Sequence, residues 1–516
     1  MRTFTLSKIA VPLHLAFIVA YLAAVRIAPG EVMAYLPVVW MVLGLLVVAV
    51  LFPAAHRGED VEGARKRSFL SFRKDYASFF GFCGLCFVLF QTLNGPRTLQ
   101  LNTKTLLWEF SQARVRDFPS CFDQLLSLDG AFGVLLVISA ILVIRNSLGR
   151  NGRNYLLRAI VAISAVLSLY GLVALALFPA EDLPAGFATI TSPVAAGFYF
   201  MMVFSVTCGL LTMELGEKHP SRKKTRFLFF SAILIFFGAV FSLSALALGL
   251  VCLVLIANLV YGLLFLRERA LAEKKMRFFA IGIVLVAIVA FLHFIAYSSN
   301  PIHERLSKIF RGPWMTEAEK AETSTLRTVA WRTFADNPFA GVGTWGYSDP
   351  DSFARYVKSQ DEWQTLSDQG KRYYHCGDDP LQCLAEYGLL GGLFLAIPFL
   401  GLIGGILRRG LYAANKSNPI SRKADDDEEE DFFDRFSPLA FSLFLAVVVA
   451  GGFSFYFSIF RQPLVLVVWT IFLTCLYCFL PKPLPHEEGH SHARRLSFRF
   501  RYQRSRSQDV VAKNED

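Results

Sequence analysis

Arginines, a histidine, carboxylates and closely spaced glycines gather in one polar stretch, residues 298–388. Two segments carry them. LRTVAWRTFADNPFAGVGTWGY starts at Leu326, and HCGDDPLQCLAEYGLLGG starts at His375. Arg327 and Arg332 offer planar forks that grip phosphate oxygens in a two-pronged way that lysine cannot. His375 offers an imidazole able to take a proton from a hydroxyl. Asp378 and Asp379 follow it and favour its charged form. Glu386, further on, is placed to orient His375 or to pair with an arginine. Such a set suits chemistry on an anionic substrate. Plainer readings stand beside it: interfacial arginines pair with lipid headgroups or nearby acids, and a loop histidine can simply face water.

The pattern also says what should position these groups. Leu326, Val329, Ala330 and Phe334 recur at helical spacing and form one apolar stripe. A helix is expected from Thr323 to Asn337, with Thr323 or Ser324 capping its start and Asn337-Pro338 ending it. It would lie along the membrane interface with Trp331 as an anchor. The glycines of NPFAGVGTWGY, among them Gly341 and Gly343, suit a tight exit whose amides line a site. Their spacing is not the nucleotide-binding fingerprint, and no strand precedes them. Asp379 as a cap, Pro380 next and Gln382 as capping-box partner mark a second helix start. His375 stands just ahead of that end, where unpaired amides and the helix dipole favour a bound anion.

The rest of the chain reads as membrane. Hydrophobic residues make up 54% of 516 residues. Apolar runs close to the hydrocarbon thickness recur throughout, and about twelve spans are expected. They fall near 9–28, 33–53, 76–93, 131–149, 157–178, 194–213, 227–242, 245–266, 278–297, 389–407, 437–460 and 463–481. The fold class is therefore all-α and polytopic, with amphipathic helices in a large exterior loop. The connectors at 54–75, 145–158, 214–226, 267–277 and 408–436 are crowded with Lys and Arg. The short connectors between them carry none, which puts both termini in the cytoplasm and residues 94–130 and 298–388 outside. Topology thus accounts for the net charge of +11, and no nucleic-acid partner is needed. The expected divisions are 1–297, a first set of spans that includes the loop 94–130; 298–388, the large loop; 389–481, the last spans, with an acidic connector at 408–436; and a basic tail, 482–516, disordered or lying on anionic lipid. A disulfide between Cys121 and Cys376 would tie the two exterior loops together.

The order Arg-x-x-x-Trp, NPxxGVGxxxY and a histidine-bearing stretch ending in DxLQxLxEYGLLG resembles the signature loop of the O-antigen ligase and O-antigen polymerase superfamily. These are bacterial membrane glycosyltransferases of GT-C type, and the match spans about 326–392. The resemblance implies an inner-membrane enzyme with its large loop in the periplasm, transferring a glycan from an undecaprenyl-diphosphate carrier. The acceptor would be a hydroxyl on lipid A core, a glycan repeat or a protein. No metal or other cofactor is expected. Arg327 would help hold the diphosphate, His375 would act in catalysis, and attack from the opposite face would invert the anomeric centre. Trp331, Gly341, Gly343, Tyr347 and Glu386 fall in the substrate loop. Two departures stand out. The family histidine usually comes two residues later than His375, where Gly377 stands here. The usual arginine between two earlier spans is missing from FSLSALALG, at Ser244-Ala245; Arg311 or Arg461 would have to compensate. The competing readings are a polymerase or protein glycosylation enzyme of the same superfamily, and a transporter or lipid-linked-glycan flippase. The latter predicts charged or broken helices at the bilayer midplane and an internal repeat. The spans hold few charges and show no repeat.

Overall fold

The computed structural model describes residues 75–94, 99–101, 108–110, 124–146, 148–177, 192–217, 219–242, 244–268, 317–343, 346–348, 356–366, 375–416, 436–460 and 462–481, with scattered positions between them. The expected spans at 9–28 and 33–53, nearly all of 278–297, Arg311, Arg461, the acidic run and the basic tail lie outside the described residues.

Where apolar runs were expected to span, helices stand. They are α1 (Tyr76–Leu93), α2 (Gln124–Asn146), α3 (Arg150–Leu177), α4 (Pro193–Gly216), α5 (Arg222–Val240) and α6 (Ala245–Glu268). The loop helices α7 (Glu317–Asp336) and α8 (Gln360–Gln364) follow, then α9 (Asp379–Lys416), α10 (Pro438–Phe453) and α11 (Pro463–Phe479). Polar residues fix several starts. Asp75 accepts from the Ala77 amide at 3.0 Å. Ser192 and Ser437 each cap a helix whose first residue is proline, which needs no partner there. Among the described residues, five helices are long and apolar enough to cross a membrane: Tyr76–Leu93, Arg150–Leu175, Pro193–Gly216, Leu246–Glu268 and Asp379–Tyr412. The protein is a multi-pass membrane protein. One detail departs from an all-α chain. Between α1 and α2, β1 (Leu99–Leu101) and β2 (Trp108–Phe110) pair antiparallel.

Helices in lipid gain little from burying leucine against leucine, so close packing and hydrogen bonds join them. Here α4 is the buried centre. Asn258 of α6 donates to Ser205 of α4 at 3.2 Å. Ser442 of α10 donates to Asn258 at 2.5 Å, and Ser205 to the Ser442 carbonyl at 2.8 Å. Ser164 of α3 meets Tyr199 of α4 at 2.7 Å.

The helix ends sort into two groups. At one end Arg145 pairs with Asp75 at 3.0 Å, Arg158 with Glu214 at 3.1 Å, and Arg145 and Arg409 both lie over the Tyr477 ring. The basic connectors 54–75, 145–158, 214–226 and 408–436 leave from these ends. At the other end Thr92 meets Ser127 at 2.6 Å, and Phe198 packs on Phe453 with ring centroids 5.6 Å apart. The 242–245 break, where Ser244 caps Ala247, also lies at this second end against Gly197, and the large loop sits there.

Candidate active site

The stripe of α7 is real. Leu326, Val329 and Ala330 are buried and form a small core with Tyr347, Leu366, Cys376 and Ala385. So α7 packs on the loop and on the start of α9, with Trp331 left exposed on its outer side. The helix ends at Asp336, before Asn337-Pro338, as expected. Its start is a correction: Thr323 and Ser324 lie inside the helix, which already runs from Glu317. The residues EAEKAE are good helix formers, and Lys320 pairs with Glu317 at 2.7 Å, so no cap is needed further on.

The glycine turn after α7 is built into a break in α9. Gly388 has φ 64° and ψ −170°, which interrupts the helix between residues 387 and 389. A β-carbon there would overlap the backbone of Phe339 and Ala340. The break orphans carbonyls and amides that a helix would pair internally. The turn supplies partners for four of them. Val342 and Gly343 donate to the carbonyls of Ala385 and Glu386 at 3.0 and 2.9 Å. Leu389 and Leu390 donate to the carbonyls of Pro338 and Phe339 at 2.7 and 3.0 Å. Gly341, at φ 67°, lets the two backbones meet this closely. Gln91 of α1, fully buried, donates to the Ala340 carbonyl at 2.9 Å and secures the joint to the spans.

The second helix start is shifted by one residue. Asp378, not Asp379, is the cap: its Oδ1 accepts from the Leu381 amide at 2.9 Å and its carbonyl from Gln382 at 3.0 Å. Both aspartates of DDP suit a cap, and proline is tolerated anywhere in the first turn. Gln382 still reaches back, accepting from the Cys376 amide at 3.4 Å, and donates to Glu386 at 3.1 Å. Asp379 is thereby released to accept from the Phe460 amide at 2.9 Å. Cys376 and Cys121 are both buried thiols and are not bridged.

Arg327 occupies the centre. Its Nη2 donates to the carbonyls of Gly377, at 3.2 Å, and Phe455, at 2.9 Å. Its guanidinium lies over the Tyr456 ring, 5.6 Å from the centroid. Nε is buried and has no hydrogen-bond partner among the described residues. An unspent donor on a fixed cation is ready for an anion. His375 is half-buried two residues before Gly377, the residue whose carbonyl Arg327 holds. Beneath them a cavity of about 770 Å³ runs between α2, α9, α10 and α11. Its walls include Val134, Leu395, Phe399, Val447, Leu466 and Leu473, and its polar end is marked by Asp379, Glu386 and Ser454.

Arg332 has a different placement from Arg327. It grips Glu362 with both prongs, at 2.9 and 2.8 Å, and also donates to the Tyr356 carbonyl at 3.1 Å. This clamp ties residues 356–366 to α7. The Glu362 carboxyl is held down to about 2, first by the Arg332 hydrogen bonds and next by the Lys358 amide. A depressed carboxyl contributes fully above its ordinary value, 4.5, and loses that contribution as pH falls towards about 2. Glu362→Gln should therefore loosen the clamp at neutral pH by about 1 kcal/mol. Amide exchange at 356–366 should then rise roughly fivefold. Unchanged exchange would show that the pair holds nothing. Tyr347 is also a core residue, with its hydroxyl donating to the Leu326 carbonyl at 2.7 Å. Sequence reasoning missed Gln91 and the 454–460 turn, since neither carries a motif and both meet the loop only through distant contacts.

Residues 230–396 match the family model for O-antigen ligase. Over these residues the chain is similar to O-antigen ligases. The ligase match takes in α7, the glycine turn, His375 and the broken start of α9, so the joint described above falls within it. Gln91 and the turn 454–460 lie outside it. No curated protein matches the chain.

Proposed function

We propose that the protein is a membrane glycosyltransferase of O-antigen ligase type. It moves a glycan from an undecaprenyl-diphosphate carrier to a hydroxyl acceptor during cell-envelope polysaccharide assembly. The observation that carries this reading is the position of Arg327, a fixed guanidinium with an unspent donor beside the polar end of an apolar groove. A polyprenyl chain gains little by leaving lipid for such a groove, because both are equally apolar. The groove aligns the chain, and binding energy must come from the diphosphate at Arg327.

The reaction follows from this placement. The acceptor oxygen attacks the anomeric carbon, the bond from that carbon to the phosphate oxygen breaks, and the electron pair leaves with the diphosphate. Arg327 stabilises the charge that develops there. The proton passes from the hydroxyl to His375, and attack opposite the leaving group inverts the centre. Asp379 and Glu386, at the groove's polar end, hold the acceptor side of the site. Asp378 serves the helix start and Arg332 the clamp, so neither is assigned to substrate. Arg311 and Arg461 remain candidates for a second cation. In this reading about twelve spans put the basic helix ends in the cytoplasm and the loop in the periplasm of the bacterial inner membrane.

Deleting the gene and separating envelope glycans on a gel tests the reading. Loss of long chains from the acceptor, with carrier-linked polymer accumulating, is expected of a ligase. Accumulation of single repeats would mean a polymerase. An unchanged glycan profile would refute the assignment.

A further inference from the structure

The turn between α10 and α11, SFYFSIF at residues 454–460, lies outside the O-antigen ligase match, yet it forms one wall of the site. Three polar contacts join it to the loop. The Asp379 amide donates to the Ser454 carbonyl at 2.9 Å, and the Phe460 amide donates to the Asp379 carboxylate at 2.9 Å. The third is the Arg327 bond to the Phe455 carbonyl. A turn so tightly held has no need to expose large rings. Even so, Phe455 is 54% and Tyr456 60% exposed. Phe455 lines the groove mouth. Tyr456 lies against the Arg327 guanidinium and sits tilted beside Phe453, with ring centroids 6.4 Å apart, and much of its surface is open.

We infer that Tyr456 is a sugar-binding residue that holds the carrier-proximal sugar of the donor. This rests on the reading that the carrier diphosphate sits at Arg327. Given that position, the first sugar hangs from the distal phosphate and must lie within a few bonds of the guanidinium. Tyr456 is at that distance. A pyranose has one face made mainly of C–H groups, and a rigid aromatic ring covers such a face with little loss of side-chain freedom. Arg327 and Tyr456 would then read the two halves of the donor head, the charged diphosphate and the ring beside it. The aromatic half sets which sugar is accepted, because an axial substituent on the stacked face would lift it from the ring. A tyrosine near the end of a span can instead be an anchor at the lipid interface. An anchor makes no contact with the donor head, and its loss would leave the binding of either carrier unchanged.

The test uses full-length protein in lipid nanodiscs and two probes: bare polyprenyl diphosphate, and polyprenyl diphosphate bearing one sugar. Wild type is compared with Tyr456→Phe, Tyr456→Leu and Arg327→Lys. Tyr456→Phe should bind both probes as wild type does. Tyr456→Leu should bind the bare carrier normally and the sugar-bearing carrier roughly tenfold more weakly, the size of one lost aromatic contact. Equal weakening of both probes by Tyr456→Leu would show that the ring only supports Arg327, and no weakening of either would show an anchor; each overturns the inference. Bare-carrier binding indifferent to Arg327→Lys would remove the diphosphate reading itself, an outcome separate from any result at Tyr456.

Discussion

His375→Gln is expected to lower glycan transfer by about 10²–10⁴-fold, the usual contribution of a positioned base. A sugar hydroxyl is a poor nucleophile until its proton has somewhere to go. Glutamine keeps a polar side chain of similar reach and cannot accept that proton at working pH. His375 lies two residues before Gly377, whose carbonyl Arg327 holds, so in the proposed reaction the base comes from the segment that Arg327 anchors. Donor binding should be nearly unchanged in this variant, because the diphosphate contact is made by another residue. Activity of the parent protein should fall as pH is lowered and the imidazole takes up a proton, since imidazolium cannot act as a base. His375→Gln should abolish that acid limb along with the rate. A His375→Gln protein at full rate would move the base to Asp379 or Glu386, the carboxylates at the groove's polar end.

Arg327→Lys should lower transfer by about 10²–10³-fold, the scale on which one preorganised donor to a developing oxyanion is lost. The ammonium keeps the charge and loses the fork. Arg327 uses Nη2 on the Gly377 and Phe455 carbonyls, and its buried Nε has no hydrogen-bond partner among the described residues. Lysine cannot serve both carbonyls and a phosphate from one point. The variant should remain in the membrane at normal levels, since the glycine turn and broken α9 are held by backbone bonds that do not involve Arg327. A loss of protein together with activity would give Arg327 a structural role only.

The contrast between Arg327 and Arg332 shows how far the sequence could be read. Both were legible as candidate phosphate ligands, because both stand on one amphipathic helix in a polar loop. What separates them is contact with Phe455, 128 residues away, and with Glu362, 30 residues away. Spacing along a helix carries no record of such partners. The helices were legible for the opposite reason. Tyr76–Leu93 coincides with the apolar run 76–93, and the break near Ser244 is where the run is interrupted. Local chemistry was read to within a residue: the cap of α9 is Asp378, one place before the Asp379 expected. The break at Gly388 was hidden, since EYGLLGG looks like the beginning of a continuous span. Only the turn from Pro338 to Gly343, supplying partners for the freed backbone groups, makes a break there stable. The strands β1 and β2 were missed because each has only three residues.

In the proposed reaction this loop breaks the link between a glycan and its lipid diphosphate carrier. The most direct test is a reconstituted reaction. Purified protein in liposomes is given a polyprenyl-diphosphate glycan and a hydroxyl acceptor lipid, and both products are followed by mass spectrometry. Free polyprenyl diphosphate and glycosylated acceptor are expected in equal amounts, with the anomeric configuration inverted and the rate dependent on Arg327. Intact glycan carrier moved from one leaflet to the other, with no acceptor product, would contradict the proposed transfer and make the protein a transporter.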